Sequence, residues 1–410
     1  MSRSSVKNRL ALGYNPTKTA RLSATCAWLD PMQPTETPAH LGATPAGWYA
    51  DPWKTAEWRW WDGQMWTAHV ESGTKGRPRL PDWLSVPIVV CSIPVILTAI
   101  YFLIDSPLSV ILSLVPLVLV LPTLWWLDRV EPEPHTALLH SLLWGATVAV
   151  LISGTVNTIV AELYGFGTAA VTSAPIVEEF TKGLGVYWMV RRGHIDSVLD
   201  GVIYAGWVAI GFAVVEDIQY FASAEAVDQL LPVFIVRGIV TPFAHPLFTF
   251  WIALAAGLAK ERDQPVVAAM LGGYIVAVLT HAAWNGSLSL SETEGGATVI
   301  IVAIVGFLLL FGVVVGLLIR FRQRERRQFL AVAPMLVQRY GLTPAELEIF
   351  SDWGRMLAVR RSLPRSKRRT FDGVHAALAR LAVLHAKPGV DRVDEARLVN
   401  LLYEARAAAS

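Results

Sequence analysis

Apolar runs of about 20 residues are long enough to cross the hydrocarbon core of a bilayer, and they recur through the middle of this chain. Eight can be marked, roughly 84–104, 107–127, 136–161, 167–190, 200–223, 230–259, 265–287 and 298–319. The connections between them alternate in charge. Lys75, Arg77 and Arg79 precede the first run, Arg129, Arg191 with Arg192, and Lys260 with Arg262 fill alternate loops, and Arg320, Arg322, Arg324, Arg326 and Arg327 follow the last. The other loops, near Asp105, Glu162, Glu225 and Asp228, and Glu292 and Glu294, hold no Lys or Arg. Positive loops stay on the cytoplasmic side. The pattern therefore predicts an all-α polytopic membrane protein with eight transmembrane helices, multi-pass in the plasma membrane, with both termini in the cytoplasm.

Outside these runs the pattern changes. Residues 1–44 are rich in Ser, Thr, Pro and Ala with no apolar core of signal-peptide length, which reads as a disordered tail rather than a secretory signal. In residues 45–70, short aromatic runs alternate with turn residues (Pro45, Gly47, Asp51-Pro52, Asp62-Gly63). Asp-Gly between two aromatic runs predicts a β-hairpin-like module. Its GWYADP and RWWDGQMWT segments closely resemble a small domain of unknown function found on many actinobacterial membrane proteins. Trp favours membrane interfaces, so the module is read either as an interaction surface for an unknown partner or as a self-packed aromatic mini-core. Residues 328–408 read as a cytoplasmic helical domain. Thr343-Pro344-Ala345-Glu346 forms a capping box with Pro at the first helical position, Leu347, Phe350, Leu357 and Val359 follow at helical spacing, and Asp391 can cap a last helix. Its partners, too, are not written in the sequence.

Composition agrees with a membrane protein. The chain is 53% hydrophobic and 17% charged, against about 25% charged in soluble proteins. A net charge of +2 gives no reason to expect nucleic acid, and Cys26 and Cys91 make neither a disulfide framework nor a metal ribbon.

The chemistry lies in what interrupts the apolar runs. Glu178, Glu179 and Lys182 stand in the fourth span, Glu216 and Asp217 in the fifth, Arg237 and His245 in the sixth, and His281 and Asn285 in the seventh. A charge at mid-bilayer costs roughly 2.5–3.5 kcal/mol on insertion scales, so a cluster of them marks a functional site. Lys182 lies three and four residues from the two acids and can neutralise one of them. Pro175 puts the acids just after an expected helix distortion, and His245 sits between Pro242 and Pro246. Acids and histidines gathered in one span group are the parts of a hydrolytic site. They are also the parts of a proton relay, so a proton-coupled transporter is the alternative from another class, although the chain shows no inverted repeat. A catalytically inactive scaffold is a third reading, disfavoured because it would keep five costly residues without use.

The motif order is EExxK (Glu178, Glu179, Lys182), then Asp200 with GFAxxE (Gly211, Phe212, Ala213, Glu216), then Arg237 and His245, then HxxWN (His281, Trp284, Asn285). Over about residues 84–320 it resembles the PrsW-type intramembrane proteases, distant relatives of the CAAX prenyl endopeptidases. The resemblance implies an intramembrane endopeptidase that cleaves membrane-anchored proteins, in some relatives anti-sigma factors on the extracytoplasmic side. It implies Glu178, Glu179, Glu216, His245 and His281 as the catalytic set with Asn285 in support. Asp217 departs from the Asn often found there. Two mechanisms remain open. In one, Glu216, His245 and His281 hold a divalent metal, Zn2+ being the expected one, and another Glu is the general base. In the other, Glu179 activates water with no metal while the histidines and Asn285 stabilise the oxyanion. HExxH is absent, so spacing does not choose between them.

Overall fold

The structure, a computed structural model, describes residues 47–50, 58–61, 66–71, 85–129, 132–290, 296–340, 348–350 and 353–386, together with positions 395, 398, 399 and 402. The 1–44 tail, the turns at Asp51-Pro52 and Asp62-Gly63, the capping box at Thr343 and the Asp391 cap lie outside them. The chain divides into two compact units, residues 75–324 and the remainder.

The membrane unit is built from α1 (Val86–Asp105), α2 (Pro107–Leu127), α3 (His135–Tyr164), α4 (Phe166–Arg192), α5 (Val198–Glu225), α6 (Leu230–Val240), α7 (Ala244–Glu261), α8 (Val266–Leu290) and α9 (Gly296–Tyr340). Among the described residues, seven helices are long and apolar enough to cross a membrane: α1, α2, α3, α5, α6 with α7 taken together, α8 and α9. The eighth expected span, α4, is a helix but does not pass on composition, because Glu178, Glu179 and Lys182 interrupt it. Its exposed Ile176, Phe180 and Leu184 recur every four residues on one face, opposite the buried acids and lysine. Such two-facedness suits a span whose polar side is sealed inside the bundle.

The helix ends follow from local sequence. Gly193 takes a positive φ of 74° after α4, and the His194 N–H donates to the Met189 carbonyl, closing the helix while Arg191 and Arg192 complement its C-terminal dipole. Ser197 and Asp200 form a reciprocal capping box that starts α5. Asp200, which stands in the motif order, is thus buried in a helix cap.

α5 is the central helix, with 83% of its most apolar stretch buried. Its closest neighbour is α3. A Cβ on Gly211 would stand 2.1 Å from the Leu142 carbonyl oxygen, and one on Gly145 would stand 1.8 Å from that of Val208. Only glycine lets the two backbones approach this far, the usual device for helix contact where water exclusion gives no drive. The core around this contact joins Trp144, Val148, Tyr204, Phe212, Phe248, Phe250 and Ala277.

In the other unit, β1 (Gly47–Ala50), β2 (Trp58–Trp61) and β3 (Trp66–Glu71) form an antiparallel sheet in the order β1-β2-β3. The hairpin expected around Asp62-Gly63 is present as β2-β3, and β1 adds a third strand. Trp61 is buried and meets Trp66 edge-on at 5.3 Å, and Tyr49 meets Trp66 edge-on at 5.9 Å. The aromatic run therefore packs upon itself. At the C-terminal end, α10 (Trp353–Ser362) and α11 (Arg365–Ala386) bury Met356, Val359, Phe371, Leu378 and Leu381 around Phe350, with Phe329 of α9 in the same core.

Candidate active site

The helices around the site are interrupted where the site needs backbone freedom. α4 has a π-helical stretch at Ala169–Ser173, directly before Pro175 and the acids, which is the distortion expected there. α6 ends in a second, Ile235–Val240, which carries Arg237. A break at 241–243 then starts α7 with Ala244 and His245, between the two prolines. Such π-turns collect at functional sites because they re-aim side chains.

Four helices bring their polar residues to one buried point. Lys182 Nζ lies 2.9 Å from Glu179 Oε1, 3.4 Å from Glu178 Oε2 and 2.9 Å from His245 Nδ1. The lysine was expected to neutralise one acid; it touches both, and is fully buried. His281 Nδ1, from α8, is 3.1 Å from the same Glu179 Oε1. The Thr249 hydroxyl, one turn after His245 on α7, donates to Glu179 Oε2 at 2.8 Å. Asn157 of α3 donates to Glu178 Oε1 at 3.2 Å and accepts from the Ser173 hydroxyl. Phe248 stacks on His281 with ring centres 4.6 Å apart, and Phe212 faces both His245 and the Lys182 ammonium. Each of these buried charges thus has a charged or polar partner, as buried ionisable groups require.

Glu216 takes a different place from the one expected. Its Oε2 lies 2.8 Å from His245 Nε2 and accepts from Arg237 Nη2, while Arg237 Nε donates to Asp217 at 2.7 Å and the guanidinium covers Tyr220. The donor atoms that come within 4.8 Å of one another are those of Glu178, His245 and His281. Of the expected metal set of Glu216, His245 and His281, the two histidines share this cluster with Glu178, while Glu216 lies outside it. The physical reason is Arg237, whose fork holds Glu216 and Asp217 together and leaves Glu216 as the carboxylate behind His245. Asp217 is used by that fork, which accounts for an acid at this position. Asn285, expected as support for an oxyanion, donates instead to the Ala170 carbonyl at 2.9 Å and ties α8 to the π-helical stretch of α4.

Three polar residues of the site escape the sequence reading. Thr249 carried a signal, four residues from His245 on the same face. Asn157 and Ser173 carried only their polarity within apolar spans.

Residues 133–317 match the model of the PrsW family intramembrane metalloproteases, so the match contains α3 to α8, every residue just described and most of the apolar part of α9. Over this stretch the chain is similar to the PrsW family. It is 26% identical over 171 residues to Protease PrsW of Geobacillus kaustophilus (strain HTA426), covering 41% of this chain and 74% of that protein. With Protease PrsW of Clostridioides difficile (strain 630) it shares 30% identity over 146 residues, 33% of this chain and 61% of that protein. As a PrsW relative it is an intramembrane endopeptidase. Residues 46–79 match a second family, DUF2510, a protein family of unknown function, in agreement with the resemblance of the Trp-rich module. The PrsW match leaves α1, α2 and the C-terminal helices outside. No solved structure matches the chain.

Proposed function

We propose that this protein hydrolyses peptide bonds of membrane-anchored proteins at the cluster of Glu178, Glu179, His245 and His281, with Glu178, His245 and His281 as ligands of a divalent metal, zinc in the first instance. The observation that carries the reading is the convergence of one carboxylate oxygen and two imidazole nitrogens from three helices within 4.8 Å. Two histidines and a glutamate are a donor set of catalytic zinc sites, which use three protein ligands. The surrounding acids fit as well. Glu179 on His281 Nδ1 leaves Nε2 for a metal, and Glu216 on His245 Nε2 leaves Nδ1. Carboxylates behind ligating histidines fix the tautomer and the ring direction. Metal bound here would supply Lewis-acid polarisation and a lowered water pKa.

The chain's own residues do the rest. Glu179 is the carboxylate beside the trio and outside it, and takes the proton of the attacking water as general base. Thr249 and His281 hold it for that purpose. Asn157 holds Glu178, and Arg237 holds Glu216. Phe248 and Phe212 keep bulk water away, which strengthens each charge interaction in the pocket.

The remaining assignments are part of the same proposal. The alternation of basic loops supports a plasma-membrane protein with cytoplasmic termini, organised as a tail at 1–44, a Trp-rich module at 45–70, a protease domain at 84–320 and a cytoplasmic helical domain at 328–408. Membrane-anchored regulators of the anti-sigma-factor type are the substrate class to test first. The decisive experiment is elemental mass spectrometry of the purified protein beside Glu178→Ala, Glu216→Gln and the His245→Ala, His281→Ala double variant, with cleavage of a single-span substrate read in parallel. Near-stoichiometric zinc that survives in Glu216→Gln and is lost in the other two supports the assignment. Cleavage without metal in any sample, abolished by Glu179→Ala, would replace it with a glutamate-activated water.

A further inference from the structure

The Lys182 ammonium has three hydrogen-bond donors and three acceptors around it: Glu178 Oε2, Glu179 Oε1 and His245 Nδ1. Two of those acceptors belong to the trio proposed to hold a metal. The choice of nitrogen matters here. Because His245 Nε2 faces the Glu216 carboxylate, the lone pair turned into the cluster is that of Nδ1, and the ammonium stands 2.9 Å from it. Arg237 anchors Glu216, so the ring is not free to offer its other nitrogen without breaking that contact.

A metal ligated by Glu178 and His245 would draw on the lone pairs that Lys182 uses. It would also bring a divalent charge within a few ångströms of a fully buried ammonium, where like charges repel strongly. Lysine, unlike arginine, is a compact charge on a flexible four-carbon stem and can leave such a position by rotating its side chain. Glu179, outside the trio, gives it a partner to keep.

We propose that Lys182 is a tethered competitor for the metal of this site: ammonium and metal ion occupy the Glu178–His245 position in alternation, and loading requires the ammonium to withdraw toward Glu179. The inference rests on the metal reading above. It gives the lysine two effects that a plain charge partner lacks. When no metal is bound it keeps two buried acids compensated and the histidines in place, and it sets metal affinity below what the three ligands would give alone.

The test is a cobalt titration of the purified full-length protein, followed by visible absorption and by equilibrium dialysis with zinc. Lys182→Met is expected to bind about tenfold more tightly or better, since the competing charge is gone. Lys182→Arg, which keeps the charge, is expected to bind no more tightly than wild type. If Lys182→Met elutes as unfolded protein, Lys182→Gln, which is neutral but polar and keeps all three ligands and the Glu179 carboxylate behind His281, is expected to show the same gain. Wild type and Lys182→Met with equal affinity would refute competition while leaving the metal site standing. Absence of cobalt and zinc from every sample at saturating concentration would overturn the metal reading and this inference with it.

Discussion

Gly272 and Gly273 are adjacent on α8, yet alanine at the two positions should give opposite results. A Cβ on Gly272 meets nothing within 4 Å, whereas one on Gly273 would lie 2.3 Å from the Trp251 carbonyl oxygen and 3.0 Å from Ala255 Cβ, both on α7. Ordinary contact begins at 3.4 Å, so the helices would have to part by about 1 Å at that point. Overpacking of this kind costs about 1–3 kcal/mol. Both variants share the gain of roughly 0.5–1 kcal/mol from replacing glycine within a helix, so that term cancels and the difference between them measures the packing alone. The displacement also reaches the site. His281 lies eight residues further along α8, stacked on Phe248 of α7 and 3.1 Å from Glu179, and a 1 Å misplacement of a reacting group costs up to about 10²-fold in rate. Thermal unfolding in detergent and cleavage of a single-span substrate are the assays. Gly272→Ala should match or exceed wild type in both, and Gly273→Ala should fall in both. Equal midpoints and equal rates for the two variants would refute the close approach of α7 and α8.

Thr249→Val keeps the shape of the side chain but takes a hydroxyl from buried Glu179, which should cost about 1–3 kcal/mol; an unchanged melting midpoint would sink that bond. Tyr204→Phe removes the phenol that donates to buried Glu133, and a loss of similar size, about 1–3 kcal/mol, is expected in the same assay. In the C-terminal helices, burial against Phe350 pushes the His375 imidazole down from 6.5 to about 4, with Asp372 opposing. Below pH 6.5 the unfolded chain binds a proton that the folded chain refuses, so stability is complete above that pH and drops toward pH 4 by about 3 kcal/mol. Proteolysis of this region should therefore accelerate between pH 7 and 5 relative to a control site, and His375→Leu should remove the dependence. Glu216→Gln should retain metal but slow cleavage by about tenfold or more, as for partners behind metal ligands; loss of metal from this variant would return Glu216 to the ligand set.

Much of the architecture is legible in one dimension because membranes impose one-dimensional rules. Span length, loop charge and the placement of Pro175, Pro242 and Pro246 depend on local chemistry, and they marked the helices, the break before His245 and the distortion before the acids. The residue types of the site were legible for the same reason: Glu178, Glu179, Glu216, His245 and His281 are expensive in a bilayer wherever they point. The sequence could not decide their partners. That Arg237 holds Glu216 and Asp217, leaving Glu178 with the two histidines, is fixed by how α6 lies beside α5. Asn285 shares a face with His281, but only the approach of α8 to α4 turned its amide to the Ala170 carbonyl. Lys182 was visible as a neighbour of two acids three and four residues away; that it also touches a histidine 63 residues further on is a fact of packing alone. Spacing along a helix reports the face a side chain shares, while its protonation partner and ligand are set by the helix brought opposite it.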